Sequence, residues 1–165
     1  MWGWRSLSPN APFADGKSYT WNSSNPTKPN RKIIVLMTDG TNTWNSSNNP
    51  FGSEYSAFGY YSNNRIATNV TDETSARNAM DAAVRSGCTN VKAVVDGTNT
   101  VFTIYTVGFS TPTDPIDSQG LQLLKDCAST DSSGSPLYYQ AANAQDLIDA
   151  FAKIAKSINN LRLTQ

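Results

Sequence analysis

The chain contains no histidine. That removes Ser-His-Asp and Cys-His catalysis, imidazole acid/base chemistry and most zinc sites. Charge is scarce as well: 16% of residues are charged, and 13 Lys and Arg balance 13 Asp and Glu to a net charge of zero. Binding along a phosphate backbone needs clustered Lys and Arg, so no nucleic-acid partner is expected. Long apolar runs are missing too. The longest purely aliphatic or Met run, Ile33 to Met37, has five residues, whereas a membrane helix needs about twenty, so no membrane segment is expected within the chain. Met1-Trp2-Gly3-Trp4-Arg5 carries no basic stretch ahead of an apolar core, and no targeting signal is read there. The two cysteines, Cys88 and Cys127, are too few for a disulfide framework. As residues alone they fit one bridge or two buried thiols.

Asparagine, serine and threonine are plentiful, at 17, 19 and 17 of 165 residues. These side chains cap, turn and coordinate more often than they pack. The length suits one domain. Residues 1–32 read as the end of a helix (Trp2 to Leu7, stopped by Ser8-Pro9-Asn10) followed by loop. Residues 33–40 read as a strand, Ile33–Met37, buried on both faces and closed by Thr38-Asp39-Gly40. Residues 41–71 show no helical or strand period. They hold seven asparagines and the aromatics Trp44, Phe51, Tyr55, Phe58, Tyr60 and Tyr61; a structureless stretch of this length is usually functional or disordered, and the aromatics argue against full disorder.

From about Asp72 the apolar period becomes helical. Ala76, Met80, Ala83, Val84, Val91, Val94 and Val95 fall on one stripe, with Gly87 expected to weaken or break the helix near its middle. Val101–Gly108 reads as a strand, and Asp117 as the cap of a short helix ending at Cys127. Leu137–Gln140 reads as a strand. Asn143 and Asp146 form a capping box for a last helix with Leu147, Ile148, Phe151, Ile154, Ala155, Ile158 and Leu161 on one face. Residues 72–165 thus alternate helix and strand, and the fold class is α/β: a partial doubly wound parallel sheet, Rossmann-like, of three strands with flanking helices and a long Asn- and Tyr-rich insertion.

In such sheets ligands bind beyond the carboxyl ends of the strands. Thr38, Asp39, Thr41, Asn42 and Thr43 follow the first strand, and Ser110, Asp114 and Asp117 follow the second. They offer only oxygen ligands, the chemistry of Mg²⁺ or Ca²⁺; an Asp-Gly after a strand is also an ordinary turn. The loop aromatics fit pinning of the loop to the domain better than stacking on a sugar or base. Asn22-Ser23-Ser24, Asn45-Ser46-Ser47 and Asn69-Val70-Thr71 match the glycosylation pattern, as chance matches do in so Asn-rich a chain.

A resemblance joins these pieces. Trp2-Gly3-Trp4-Arg5, Leu7-Ser8-Pro9, Met37-Thr38-Asp39-Gly40-Thr41-Asn42-Thr43-Trp44, Ile104–Phe109, Leu123–Ala128 and Ser157–Leu163 are similar, in order along the chain, to the C-terminal part of TadG-like proteins. These are Flp (tight adherence) pilus-assembly proteins with a von Willebrand factor A (vWA) domain. The resemblance implies a vWA-like sheet with a metal-ion-dependent adhesion site. Of that site only the third-loop aspartate maps here, onto Asp39 with Thr38 beside it, and no Asp-x-Ser-x-Ser occurs. Any Mg²⁺ site within this chain is therefore expected to be partial and weak, and the chain to be the C-terminal part of the domain with its anchor upstream. Ile33–Met37 would then lie at an open sheet edge, leaving the chain marginal or paired there with another chain. The resemblance also implies an envelope location facing the periplasm or exterior, which favours a Cys88–Cys127 bridge.

The function it implies is non-enzymatic: protein binding or assembly in a bacterial pilus or adhesion system, with other pilus-assembly or envelope proteins as partners. Asn42, Trp44, Tyr55, Tyr60 and Tyr61 are the candidate partner-binding loop residues. The alternatives are a truncated gene fragment without its own activity, or a hard-metal-dependent hydrolase using Asp39 with Asp114 or Asp117.

Overall fold

The computed structural model describes residues 2–10, 12–19 and 31–163. Along the chain run α1 (Trp2–Leu7), β1 (Lys32–Thr38), a 3₁₀ turn (Tyr61–Asn63), α2 (Glu73–Lys92), β2 (Val95–Asp96), β3 (Asn99–Thr100), β4 (Phe102–Phe109), α3 (Ser118–Cys127), β5 (Tyr138–Ala141) and α4 (Ala144–Leu163). Among the described residues, β1, β4 and β5 form one parallel sheet in the order β1-β4-β5. Lys32 pairs with Phe102 and Thr38 with Gly108, while Thr106 pairs with Tyr138 and Phe109 with Ala141. The fold is α/β, with each parallel step made through a helix, as such connections require. β2 and β3 add a small antiparallel hairpin around Gly97.

The helices begin where short polar side chains satisfy their first amides. Asp72 accepts the Ser75 amide at 2.8 Å, and Ser75 Oγ accepts the Asp72 amide in return. Asp117 accepts the Gly120 amide at 2.9 Å. Asn143 accepts the Asp146 amide, and the Asp146 carboxylate accepts the Ala142 amide.

Gly87 does not break α2, which runs unbroken over 20 residues. A glycine costs a helix about 1 kcal/mol. Here Cys88 beside it is bonded to Cys127 and Val91 is buried, so tertiary anchoring holds the turn. Cys88 lies inside α2. The stripe is also narrower than its period suggested. Ala76, Met80 and Val91 are buried, Ala83 is exposed, and Val95 has left the helix for β2, where it is 54% exposed.

The strand buried on both faces is β4, not β1. Ile104 and Thr106 look toward α2 and α3, Tyr105 and Val107 toward α4, and all four are at most 3% exposed. β1 is an edge strand among the described residues. Its Val35, Leu36 and Met37 are 39%, 36% and 44% exposed, because the helices sit chiefly over β4 and β5. α4 shows the same shortfall. Ala150 and Ile154 are buried, yet Ile148, Phe151 and Ala155 stand in solvent; the side chain of Leu161 lies outside those described. The Asn22-Ser23-Ser24 match also falls outside the described residues. No helix among them is long and apolar enough to cross a membrane.

Lys32 carries a contact that its type did not announce. Its buried ammonium donates to the Leu7 and Lys17 carbonyls and lies over the Tyr19 ring, so the N-terminal segment is fastened to the start of β1. Desolvation lowers its pKa from the ordinary lysine value.

A disulfide joins Cys88 in α2 to Cys127 at the end of α3, across a separation of 39 residues. Closing a loop of that length contributes about 3–4 kcal/mol in the chain-entropy account. Replacing both cysteines by alanine is expected to lower unfolding free energy by about that amount in urea titrations; an unchanged midpoint would show that the crosslink contributes nothing.

Candidate functional site

The site is assembled at the carboxyl end of β1. Thr38 Oγ1 bonds both the amide and the carbonyl of Gly40 at 3.2 Å, which turns the chain sharply and leaves Asp39 exposed. Two residues on, Asn42 Nδ2 donates to Asp81 Oδ1 at 2.8 Å. Gln119 Nε2 donates to the other oxygen, Oδ2, also at 2.8 Å. Asp81 is 1% exposed. A buried carboxylate is costly unless its oxygens are satisfied, and these two amides satisfy one oxygen each. The result is a knot joining the loop after β1, the middle of α2 and the start of α3.

Two further features draw α3 in. Arg77 donates through Nη1 and Nη2 to Asp117 at 2.5 and 2.6 Å, and its Nε lies 4.0 Å from Asp81 Oδ2. Gly120 permits the close approach: a Cβ there would stand 2.9 Å from the Thr41 methyl and 2.7 Å from Ile116. A cleft of about 260 Å³ opens beside the knot, with Thr38, Asn42 and Asp81 on its polar side and Leu36, Val84 and Leu124 on its apolar side.

Residues 41–71 form a layered loop with its own small core. Trp44 and Tyr61 are 4% and 3% exposed and meet edge-on, ring centroids 4.9 Å apart. The Trp44 indole N–H donates to the Glu54 carbonyl at 2.9 Å, and the Tyr61 hydroxyl donates to the Trp44 carbonyl. This pair packs with Val70 against Ala76 and Met80 of α2. Ser46 donates to Glu73 from its amide and hydroxyl, closing the far side of the loop. On the outer surface Phe51 stacks on Tyr60 at 4.5 Å and 21°, and Tyr55 meets Tyr60 edge-on at 5.1 Å. Tyr55 is 70% exposed, with Phe51 and Phe58 also in solvent.

This sorts the candidate loop residues. Trp44 and Tyr61 are buried as pins of the loop. Asn42 is spent on Asp81. Tyr55 and Tyr60 remain on the surface, joined there by Phe51 and Phe58. Asp81, Arg77 and Gln119 were missed by sequence reasoning; the available signal was a carboxylate directly after buried Met80, on the flank of an otherwise apolar helix stripe.

Asp39 stands exposed in the turn after β1. Asp81 is held by two amides and Asp117 by Arg77. Asp114 is exposed, and among the described residues no three His, Cys, Asp or Glu side chains gather into a metal-binding group. The Arg77 guanidinium, helped by the Gly120 amide, holds the Asp117 carboxyl at a pKa of about 2.

A carboxylate whose folded pKa is depressed adds stability above its unfolded pKa and loses it as pH falls through the folded value. The Arg77–Asp117 contribution is therefore expected to be present at pH 5 and to disappear between about pH 4 and pH 2. Acid titration followed by circular dichroism checks this: Asp117→Asn should flatten the stability loss in that window, and an unchanged acid profile would contradict the assignment.

Compared with protein-family models, curated proteins and solved structures, the chain matches none.

Proposed function

We propose that the chain is a non-enzymatic recognition module: the C-terminal part of a vWA-like domain that binds other proteins of a bacterial pilus or adhesion system. The observation that carries this reading is the aromatic group of exposed Phe51, Tyr55 and Phe58 around half-buried Tyr60, on a loop pinned by the buried Trp44–Tyr61 pair. Aromatic rings combine large contact area with few rotors, so a pre-ordered set of them binds with little entropic loss. The surrounding asparagines, serines and glycines supply hydrogen bonds without net charge, a composition that protein-binding loops share. The loop leaves the carboxyl end of β1, where doubly wound sheets place their ligands.

The resemblance to TadG-like proteins points to pilus and envelope proteins as partners and to an envelope location. Asp39 is the residue such a domain would turn toward a metal. With one exposed carboxylate free for it, a cation here calls for oxygen donors from outside this chain, such as an acidic side chain of the partner. The open edge at β1 supports the reading of the chain as part of a larger sheet.

The test is binding of purified Flp/Tad pilus components to the immobilised chain, with and without millimolar Mg²⁺. Tyr55→Ala combined with Phe51→Ala is expected to weaken binding at least about tenfold while leaving the melting temperature within about 2 °C, since both rings face solvent. Binding that ignores these substitutions, or no component binding at all, would remove the reading.

A further inference from the structure

We propose that the 41–71 loop takes a cationic segment of its partner, with lysine or arginine heads against Glu54 and Glu73 and their aliphatic stems across the rings of Phe51 and Tyr55. The inference rests on the recognition reading for the surface it uses, and it adds the chemistry of the partner.

It begins with two carboxylates brought together from opposite ends of the loop. Glu54 Oε2 accepts the Asn45 side-chain amide at 3.1 Å. Glu73, in the first turn of α2, accepts the Ser46 amide and hydroxyl through Oε1 at 3.2 and 2.9 Å. The two anchors, Asn45 and Ser46, are consecutive residues, and Ser46 bridges to Ser53, the neighbour of Glu54. Both carboxylates are exposed, and each keeps one oxygen free of hydrogen bonds with the described residues. No lysine or arginine among those residues pairs with either. Like charges held near each other repel, and a cation placed between them relieves the repulsion.

The aromatic surface adjoins this pair. Tyr55 follows Glu54 in the chain. Phe51 lies at the turn of the same small hairpin and stacks on Tyr60, which meets Tyr55 edge-on. A lysine or arginine side chain has the matching form: an apolar stem that lies along the rings and a charged head that stays at the wet carboxylates. Ring faces attract the same cation. A purely apolar segment would cover the two carboxylates and give them no counter-charge, and an acidic one would oppose them.

The wider field has the same sign. Asp39, Asp114 and Asp146 lie in the turns and the helix start at the carboxyl end of the sheet. The basic groups at this end are Arg65 and Arg77, and Arg77 is bonded to Asp117. The whole chain carries no net charge, so the acidity of this end is local, and it steers a cationic partner to the loop.

The test is a titration of the isotope-labelled full chain, followed by amide NMR shifts in EDTA, with two probes: a glycine-spaced oligolysine and a glycine-spaced oligoglutamate of equal length. The oligolysine is expected to shift the amides of residues 45–46, 51–55 and 73, and to bind at least about fivefold more weakly when salt rises to several Debye-screening equivalents of the starting buffer. The oligoglutamate should leave these amides in place. Glu54→Gln with Glu73→Gln keeps an acceptor oxygen for Asn45 and Ser46, and it is expected to raise the oligolysine dissociation constant at least about tenfold with an unchanged circular dichroism spectrum. Equal binding of both probes overturns the inference, as do shifts spread evenly to Asp126 and Asp131 at the other end, or indifference to the glutamine pair. If the double variant fails to fold, Glu54→Gln alone, which leaves the start of α2 intact, decides: no weakening there counts against the proposal. The two readings fail separately. A pilus component that loses affinity with Phe51→Ala and Tyr55→Ala yet ignores the glutamine pair keeps the recognition reading and removes this inference. Oligolysine binding that needs both glutamates, with no pilus component bound, keeps this inference and removes the pilus assignment.

Discussion

The Asp81 carboxylate is the constraint on which the upper end of this protein depends. It is buried in the middle of α2, where an unsatisfied charge would cost several kcal/mol. Two side-chain amides hydrogen-bond it, one from the loop after β1 and one from α3, and the Arg77 guanidinium lies 4.0 Å from it. Satisfying Asp81 therefore means bringing Asn42 and Gln119 to fixed positions. Once Asn42 is placed, the chain enters the 41–71 loop in one direction, and Trp44 falls onto the α2 surface beside Met80. Once Gln119 is placed, α3 is held where Asp117 meets Arg77 and Cys127 meets Cys88. A buried polar group acts here as a locator more than as a source of stability.

The loop then separates two jobs that one residue type performs. Aromatic rings on its inner side bury area and donate to backbone carbonyls. Aromatic rings on its outer side stack on one another and stay in water. The inner pair gives the loop a fixed shape without regular secondary structure, which is what a recognition surface needs if ordering is not to be charged to binding. The lower end is organised differently. There Lys32 fastens the N-terminal segment, and among the described residues the sheet stops at an apolar strand, β1.

Much of the architecture was legible in the sequence because the signals are local. The β-branched run at Val101–Gly108 marks β4 to within a residue, and Asp117 and Asn143 mark helix starts through capping chemistry that needs only neighbouring amides. What failed were inferences about the surroundings. Ile33–Met37 has the composition of a strand buried on both faces, but burial depends on how far the helices extend over the sheet. Gly87 weakens an isolated helix, yet α2 is crosslinked one residue later. Trp44 and Tyr55 look alike in a list of aromatics, and only the packing on Ala76 and Met80 tells the pin from the surface ring. Asp81 gave no local signal as a knot residue because its partners lie 39 and 38 residues away.

The central claim is that residues 41–71 are a folded surface held by Asp81 and by the Trp44–Tyr61 pair. Hydrogen exchange of the Trp44 indole N–H, which donates to Glu54 within the loop, tests it most directly. In the native chain that proton should exchange slowly, with protection comparable to amides of α2, and in Asp81→Ala its protection should fall while the amides of β4 keep theirs. An indole proton that exchanges in the native chain as fast as in a free peptide would contradict the account.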